Sequence, residues 1–146
     1  MSLPEPRPGL VIRYAYLWRS EEARGQVHGA KDRPCAIVVA IRRGSDKLTV
    51  VVAPITHAAP RDPSSAIELP AAVKARLKLD QAPSWIVTTE VNAFAWPGPD
   101  IRPVDLRDRT RGYAYGYLPA ALTRAVIDGV RRHMREGRPR IVQRDN

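Results

Sequence analysis

The chain is poor in the residues from which cross-links and metal sites are made. Its one cysteine, Cys35, excludes an internal disulfide, and the three histidines, His28, His57 and His133, have no zinc-ligand spacing with it or with each other. No cofactor or metal is therefore expected. There is no apolar run near the roughly 18 residues that a membrane helix needs, and Pro4, Pro6 and Pro8 interrupt the stretch where a signal peptide would be apolar. The expectation is a soluble cytoplasmic protein with no membrane partner. Also missing are the serine-hydrolase elbow GxSxG, the zinc-protease HExxH, a CxxC pair and any Gly-rich phosphate loop. Acidic residues are scarce as well, with 15 Asp and Glu against 24 Lys and Arg, a formal net charge of +9. Such a surplus on 146 residues points to a polyanionic partner, nucleic acid first. Eleven of the cations and only five of the acids lie beyond residue 100, so the positive field is lopsided.

What is present reads as one domain with a single modest core, a Pro-rich lead at 1–8 and a basic tail at 137–146. Residues 10–18 (LVIRYAYLW) alternate, with Leu10, Ile12, Tyr14, Tyr16 and Trp18 on one face of a strand. The polar stretch 19–33 reads as a long loop. Residues 35–41 (CAIVVAI) and 48–55 (LTVVVAPI) predict a buried hairpin turned at 42–46. A loop at 57–65 leads to a short strand at 66–69, then to a three-turn helix opened by Pro70, with Val73 and Leu77 inward and Lys74 and Lys78 outward. A strand is expected over 84–91. The prolines of 92–103 leave room for little more than an edge strand near Ile101, and 105–116 reads as a charged loop. Leu118, Leu122, Val126, Val130 and Met134 recur every four residues and mark a terminal helix that Gly137 and Pro139 stop. The fold class is mainly β with helices (α+β), a strongly bent, barrel-like sheet of five to six strands with a C-terminal helix.

The polar residues that stand out are at strand ends. Arg33-Pro34 precedes the first strand of the hairpin and Thr56-His57 follows the second, so antiparallel pairing brings an Arg and a Thr to one sheet edge across 23 residues of chain. With Gly9-Leu10-Val11, RPCAIVVA, VVVAPITH, SWIVTTEV and LPAALTRAV in this order, residues 9–136 resemble the PemK/MazF family of growth-inhibiting toxins. The specific part is Arg33-Pro34 paired with Pro54-Ile55-Thr56. The resemblance implies an SH3-like barrel with a terminal helix, a homodimer, and metal-independent endoribonuclease activity on single-stranded RNA. It also implies a type II toxin–antitoxin pair in which an acidic antitoxin covers the RNA groove.

The residue types suit that chemistry. When the ribose 2′-hydroxyl is the nucleophile, the protein need supply only a proton acceptor, a proton donor and a cation for the charge growing on phosphorus. Arg33 stays protonated and offers a bidentate cation for phosphate. Thr56 is a positioning residue, able to hydrogen-bond a phosphate oxygen or to orient Arg33. The acid–base candidates are His28, His57 and Glu90; imidazole is the side chain that titrates near neutrality unassisted. Some family members carry a catalytic acid near Glu90, although the neighbouring family arginine is replaced here by Thr88. Lys31, Arg61 and Trp96 are the expected RNA contacts, Trp96 as a stacking platform. The alternatives are a non-catalytic RNA-binding barrel and a protein-interaction module built on the same fold.

Overall fold

The computed structural model describes residues 3–27, 29, 31–44, 47–137 and 140–144. His28, the turn residues Ser45 and Asp46, and Pro139 lie outside this set. Nine strands and three α-helices follow in the order β1 (Leu10–Tyr14), α1 (Arg19–Ala23), β2 (Arg33–Arg43), β3 (Lys47–Thr56), β4 (Ala66–Glu68), α2 (Ala71–Arg76), β5 (Trp85–Val87), β6 (Glu90–Trp96), β7 (Ile101–Arg102), β8 (Ala114–Tyr117), α3 (Ala120–Arg135) and β9 (Arg140–Gln143). The α+β class expected from the sequence holds. The sheet is barrel-like in its curvature but does not close, and it has more strands than the five to six expected.

The β2–β3 hairpin is the spine, paired from Cys35 opposite Pro54 to Arg43 opposite Lys47. Two features bend it. The register slips between Ile37 and Val39, leaving Val38 as the extra residue of a bulge, which adds local twist. Pro54 cannot donate to a ladder, and around it β3 changes neighbour: Leu48 to Val52 pair with β6, whereas Ile55 and Thr56 pair with β5. β1 lies on the other side of β2 and also pairs with β7 and β8. All pairings are antiparallel except β6 with β9, which is parallel.

Alternating side chains supply a core to each face of this sheet. Leu10, Ile12, Tyr14, Tyr16, Cys35, Ile37, Val50, Val52 and Phe94 form one, with Trp18 packed against it. Val11, Ala36, Ala53, Ile55, Ile86 and Val91 form the other, covered by Val73 and Leu77 of the α2 segment and by Val126 and Val130 of α3. Each fully buried Val, Ile or Phe contributes about 1.5–3 kcal/mol. Gly129 lets α3 approach closely, because a Cβ there would stand 3.1 Å from Thr88 Cγ2.

Several expectations change. The strand 10–18 ends at Tyr14, and part of the loop 19–33 is helical, because Glu21 Oε1 accepts the Trp18 N–H at 2.9 Å and starts α1. The strand 84–91 is two strands, β5 and β6, broken where the Thr88 N–H and hydroxyl turn to Ser65 O. Asn92 to Trp96 continue β6 through the centre of the sheet, since Pro97 and Pro99 lie after the paired residues; the expected edge strand is β7. The α2 helix is six residues long, and Lys74 points inward, not outward. The last helical turn buries His133 and exposes Met134, and His133 Nε2–H donates to Ser64 O at 2.8 Å. The loop at 105–116 ends in β8, and the basic tail contains β9. Among the described residues, no helix is long and apolar enough to cross a membrane.

Candidate functional site

The antiparallel hairpin brings Arg33 and Thr56 to one sheet edge as expected. There a cavity of about 610 Å³ opens, lined by Lys31, Arg33, Thr56 and His57 together with Trp18, Asp80 and their neighbours. Four of the eight residues singled out in the sequence therefore converge. The volume lies in the range of small-ligand sites.

Arg33 is held by stacking rather than by an acid. Its guanidinium carbon lies 4.9 Å from the centroid of the Trp18 ring, a cation–π contact. The Nε atom is buried and has no hydrogen-bond partner. Asp32, the adjacent acid, also lines the cavity, but its carboxylate is paired with other cations, 3.7 Å from Arg13 and 3.8 Å from Arg102. Arg33 thus has no ion pair among the described residues, and its fork of donors is left for an external anion. Trp18 owes its position to α1, whose Glu21 is buried and grips the Trp18 backbone.

Across the cavity, Thr56 Oγ1 accepts the Ala58 N–H at 3.1 Å, which fixes the side chain and leaves its own proton to donate. His57 Nε2 lies 2.8 Å from Asp80 Oδ2. With a carboxylate as partner, Nε2–H is the donor and Nδ1 carries the lone pair in the neutral ring. Asp80 is itself anchored through Oδ1, which accepts from Lys74 Nζ at 2.7 Å. The Lys74 ammonium is buried and also donates to Ser84 Oγ at 2.6 Å and to Ala82 O, so its three protons are all used. Its hydrogen bond is the main reason that the Asp80 carboxyl stays below its ordinary range, and the His57 contact adds to this.

The other expected residues lie elsewhere. Glu90 is at the start of β6, where its Oε1 accepts the Tyr16 hydroxyl at 3.0 Å and the Arg19 N–H at 3.1 Å; it does not line the cavity. Burial raises its pKa despite these donors. Trp96 pairs with Leu48, eight residues along β3 from Thr56, about 27 Å of strand away, and its ring packs beside Phe94. Arg61 is exposed and outside the cavity lining. His28 lies outside the described residues. Trp18, Lys74 and Asp80 are the site residues that sequence reasoning missed. Lys74 precedes Leu77 by three, on the buried stripe of the helix, and that spacing was its available signal.

The chain matches no protein-family model and no curated protein.

Proposed function

We propose that this protein is a cytoplasmic, metal-independent endoribonuclease of the PemK/MazF toxin type that cuts single-stranded RNA and works as a homodimer restrained by an acidic antitoxin. The observation that carries the reading is Arg33: a guanidinium without an ion pair among the described residues, stacked on Trp18, in a cavity shared with Thr56 and His57. A cation without an ion pair among the described residues, in a cleft whose two acids, Asp32 and Asp80, are bonded to other groups, suits a phosphodiester, and Lys31 in the lining adds a second positive charge.

On this reading each side chain has a role. The Arg33 fork binds the non-bridging phosphate oxygens and the Thr56 hydroxyl donates to one of them, both bonds strengthening as charge grows on phosphorus. His57 Nδ1 takes the proton of the ribose 2′-hydroxyl. The 2′-oxygen bonds to phosphorus, the bond from phosphorus to the 5′-oxygen breaks, and the leaving oxygen takes a proton from water. The products are a 2′,3′-cyclic phosphate and a 5′-hydroxyl end.

The test is cleavage of a mixed-sequence single-stranded RNA by purified protein in excess chelator, with the ends analysed by mass. Cyclic phosphate ends are expected, and Arg33→Ala should lower the rate by about 10²–10³-fold. Intact RNA with the wild-type protein, or equal cleavage by Arg33→Ala, overturns the reading. Salt-sensitive RNA binding without any product would instead identify a non-catalytic RNA-binding barrel.

A further inference from the structure

We propose that Asp80 and Lys74 are positioning residues that set which nitrogen of His57 carries the proton, an inference that rests on the ribonuclease reading for its catalytic consequence. The contacts form one chain: Lys74 Nζ to Asp80 Oδ1 at 2.7 Å, then Asp80 Oδ2 to His57 Nε2 at 2.8 Å. Its two ends differ in kind. Lys74 is 4% exposed, and its ammonium is fixed by three acceptors inside the fold. The His57 side chain is 58% exposed and opens on the cavity. An exposed imidazole on its own samples both tautomers and several rotamers. A carboxylate pinned from behind by a buried ammonium holds it in one, with Nε2 protonated and Nδ1 available as the base.

The loop joining α2 to β5 is shaped for this. Ala82 N–H donates to Asp80 Oδ1 at 3.1 Å, so the carboxylate is held by its own backbone as well as by Lys74. The charged groups that face His57 from the packed elements are Asp80, Lys74 of α2, and Lys31, Asp32 and Arg33 at the start of β2. Asp32 is occupied by Arg13 and Arg102, which leaves Asp80 as the carboxylate bonded to the ring.

Asp80→Asn separates this role from simple structural support. The single amide oxygen goes to the Lys74 ammonium, the stronger donor, and turns the amide NH₂ toward His57 Nε2. The ring must then accept at Nε2 and carry its proton on Nδ1, the wrong tautomer for a base at that nitrogen. The experiment is ¹⁵N NMR of the imidazole nitrogens in the full-length protein, with His57→Gln used to assign the resonance, alongside steady-state RNA cleavage. The expected result is Nε2–H in the wild type and Nδ1–H in Asp80→Asn, with kcat lowered about 10²-fold and KM changed less than about threefold. Lys74→Met should release Asp80 and give a mixture of tautomers. An unchanged tautomer and kcat in Asp80→Asn, with Arg33→Ala inactive, would overturn the positioning role alone. Failure of the wild-type protein to cleave RNA would overturn the ribonuclease reading, and the tautomer comparison would still decide whether Asp80 and Lys74 orient the ring.

Discussion

Arg33 and Glu90 both begin strands, and their surroundings send them to opposite tasks. At Arg33 the neighbouring carboxylate is paired with Arg13 and Arg102, so among the described residues the cation stacked on Trp18 meets the cavity without an ion pair. At Glu90 the carboxylate is drawn inward, where it satisfies the buried Tyr16 phenol and the first N–H of α1. Its ionisation is then opposed by burial more strongly than it is favoured by those two donors, with Glu21 adding repulsion. A carboxyl whose folded pKa is raised holds its proton longer in the native state than in the unfolded chain. Its contribution to stability is therefore full below the ordinary value of 4.5 and is lost as pH rises through the folded pKa. Both donors bond to Oε1, so Glu90→Gln keeps them while removing the ionisation. Urea unfolding from pH 4 to pH 8 should show equal stability of the two proteins at the acid end and a growing advantage of the variant as pH rises; a constant difference across the range would refute this account. The Cys35 thiol follows the same physics: complete burial pushes its pKa up, and it has no role as a nucleophile here.

At the scale of elements, α2 ends in a way that bears on the site. Leu79 N–H donates to Lys74 O and Lys78 N–H to Ala75 O, the paired bonds of a Schellman cap, with Lys78 in the left-handed position at φ 59°. Glycine suits that conformation, and a lysine there costs about 1 kcal/mol or somewhat more. Lys78→Gly should raise the unfolding free energy by about 1 kcal/mol in chemical denaturation; a loss of stability would mean that the lysine side chain contributes contacts the cap does not need. This cap turns the chain so that Asp80 comes back beside Lys74, a juxtaposition that helix periodicity alone does not reveal. Where local pattern and packing agree, the sequence was readable: the alternation of Leu10, Ile12 and Tyr14, the hairpin of β2 and β3, the four-residue stripe of α3, and through them the meeting of Arg33 with Thr56. The unreadable parts depend on how the chain turns back and on distant partners. Lys74 looked like a solvent residue until three acceptors from the loop that follows α2 surrounded it, and Trp96 looked exposed until its β3 partner was known. Thr88 broke a strand because Ser65, 23 residues away, offered a carbonyl.

Over the whole molecule, the +9 surplus divides into cations that are used and cations that are free. Arg102 and Arg111 pair with acids, and Arg124, Arg131, Arg132 and Arg135 are exposed on α3, remote in kind from the stacked Arg33 of the cavity. Arg144 is different again, since it is buried and closes the fold. Its guanidinium donates to Asp100 Oδ2 at 2.7 Å, Ala15 O at 2.9 Å and Asn92 Oδ1 at 3.1 Å, and it lies over the Tyr14 ring. Asn92 in turn bonds both the N–H and the carbonyl of Leu17. This network ties the end of β9 to β6, to the chain after β1 and to the segment before β7, so three distant stretches become ordered together. Removing one member should be felt globally. Arg144→Met leaves the Asp100 carboxylate buried without its closest cation, and a broken buried pair of this sort costs about 3–5 kcal/mol. Urea unfolding should show that loss, and Asp100→Asn placed on the Arg144→Met background should recover part of it, because the remaining group no longer has to be buried as a charge. If Arg144→Met unfolds at the wild-type midpoint, β9 is an appendage. A large loss with no recovery in the double variant would instead assign the effect to the contacts with Ala15 and Asn92, making Arg144 a backbone clamp more than an ion-pair partner.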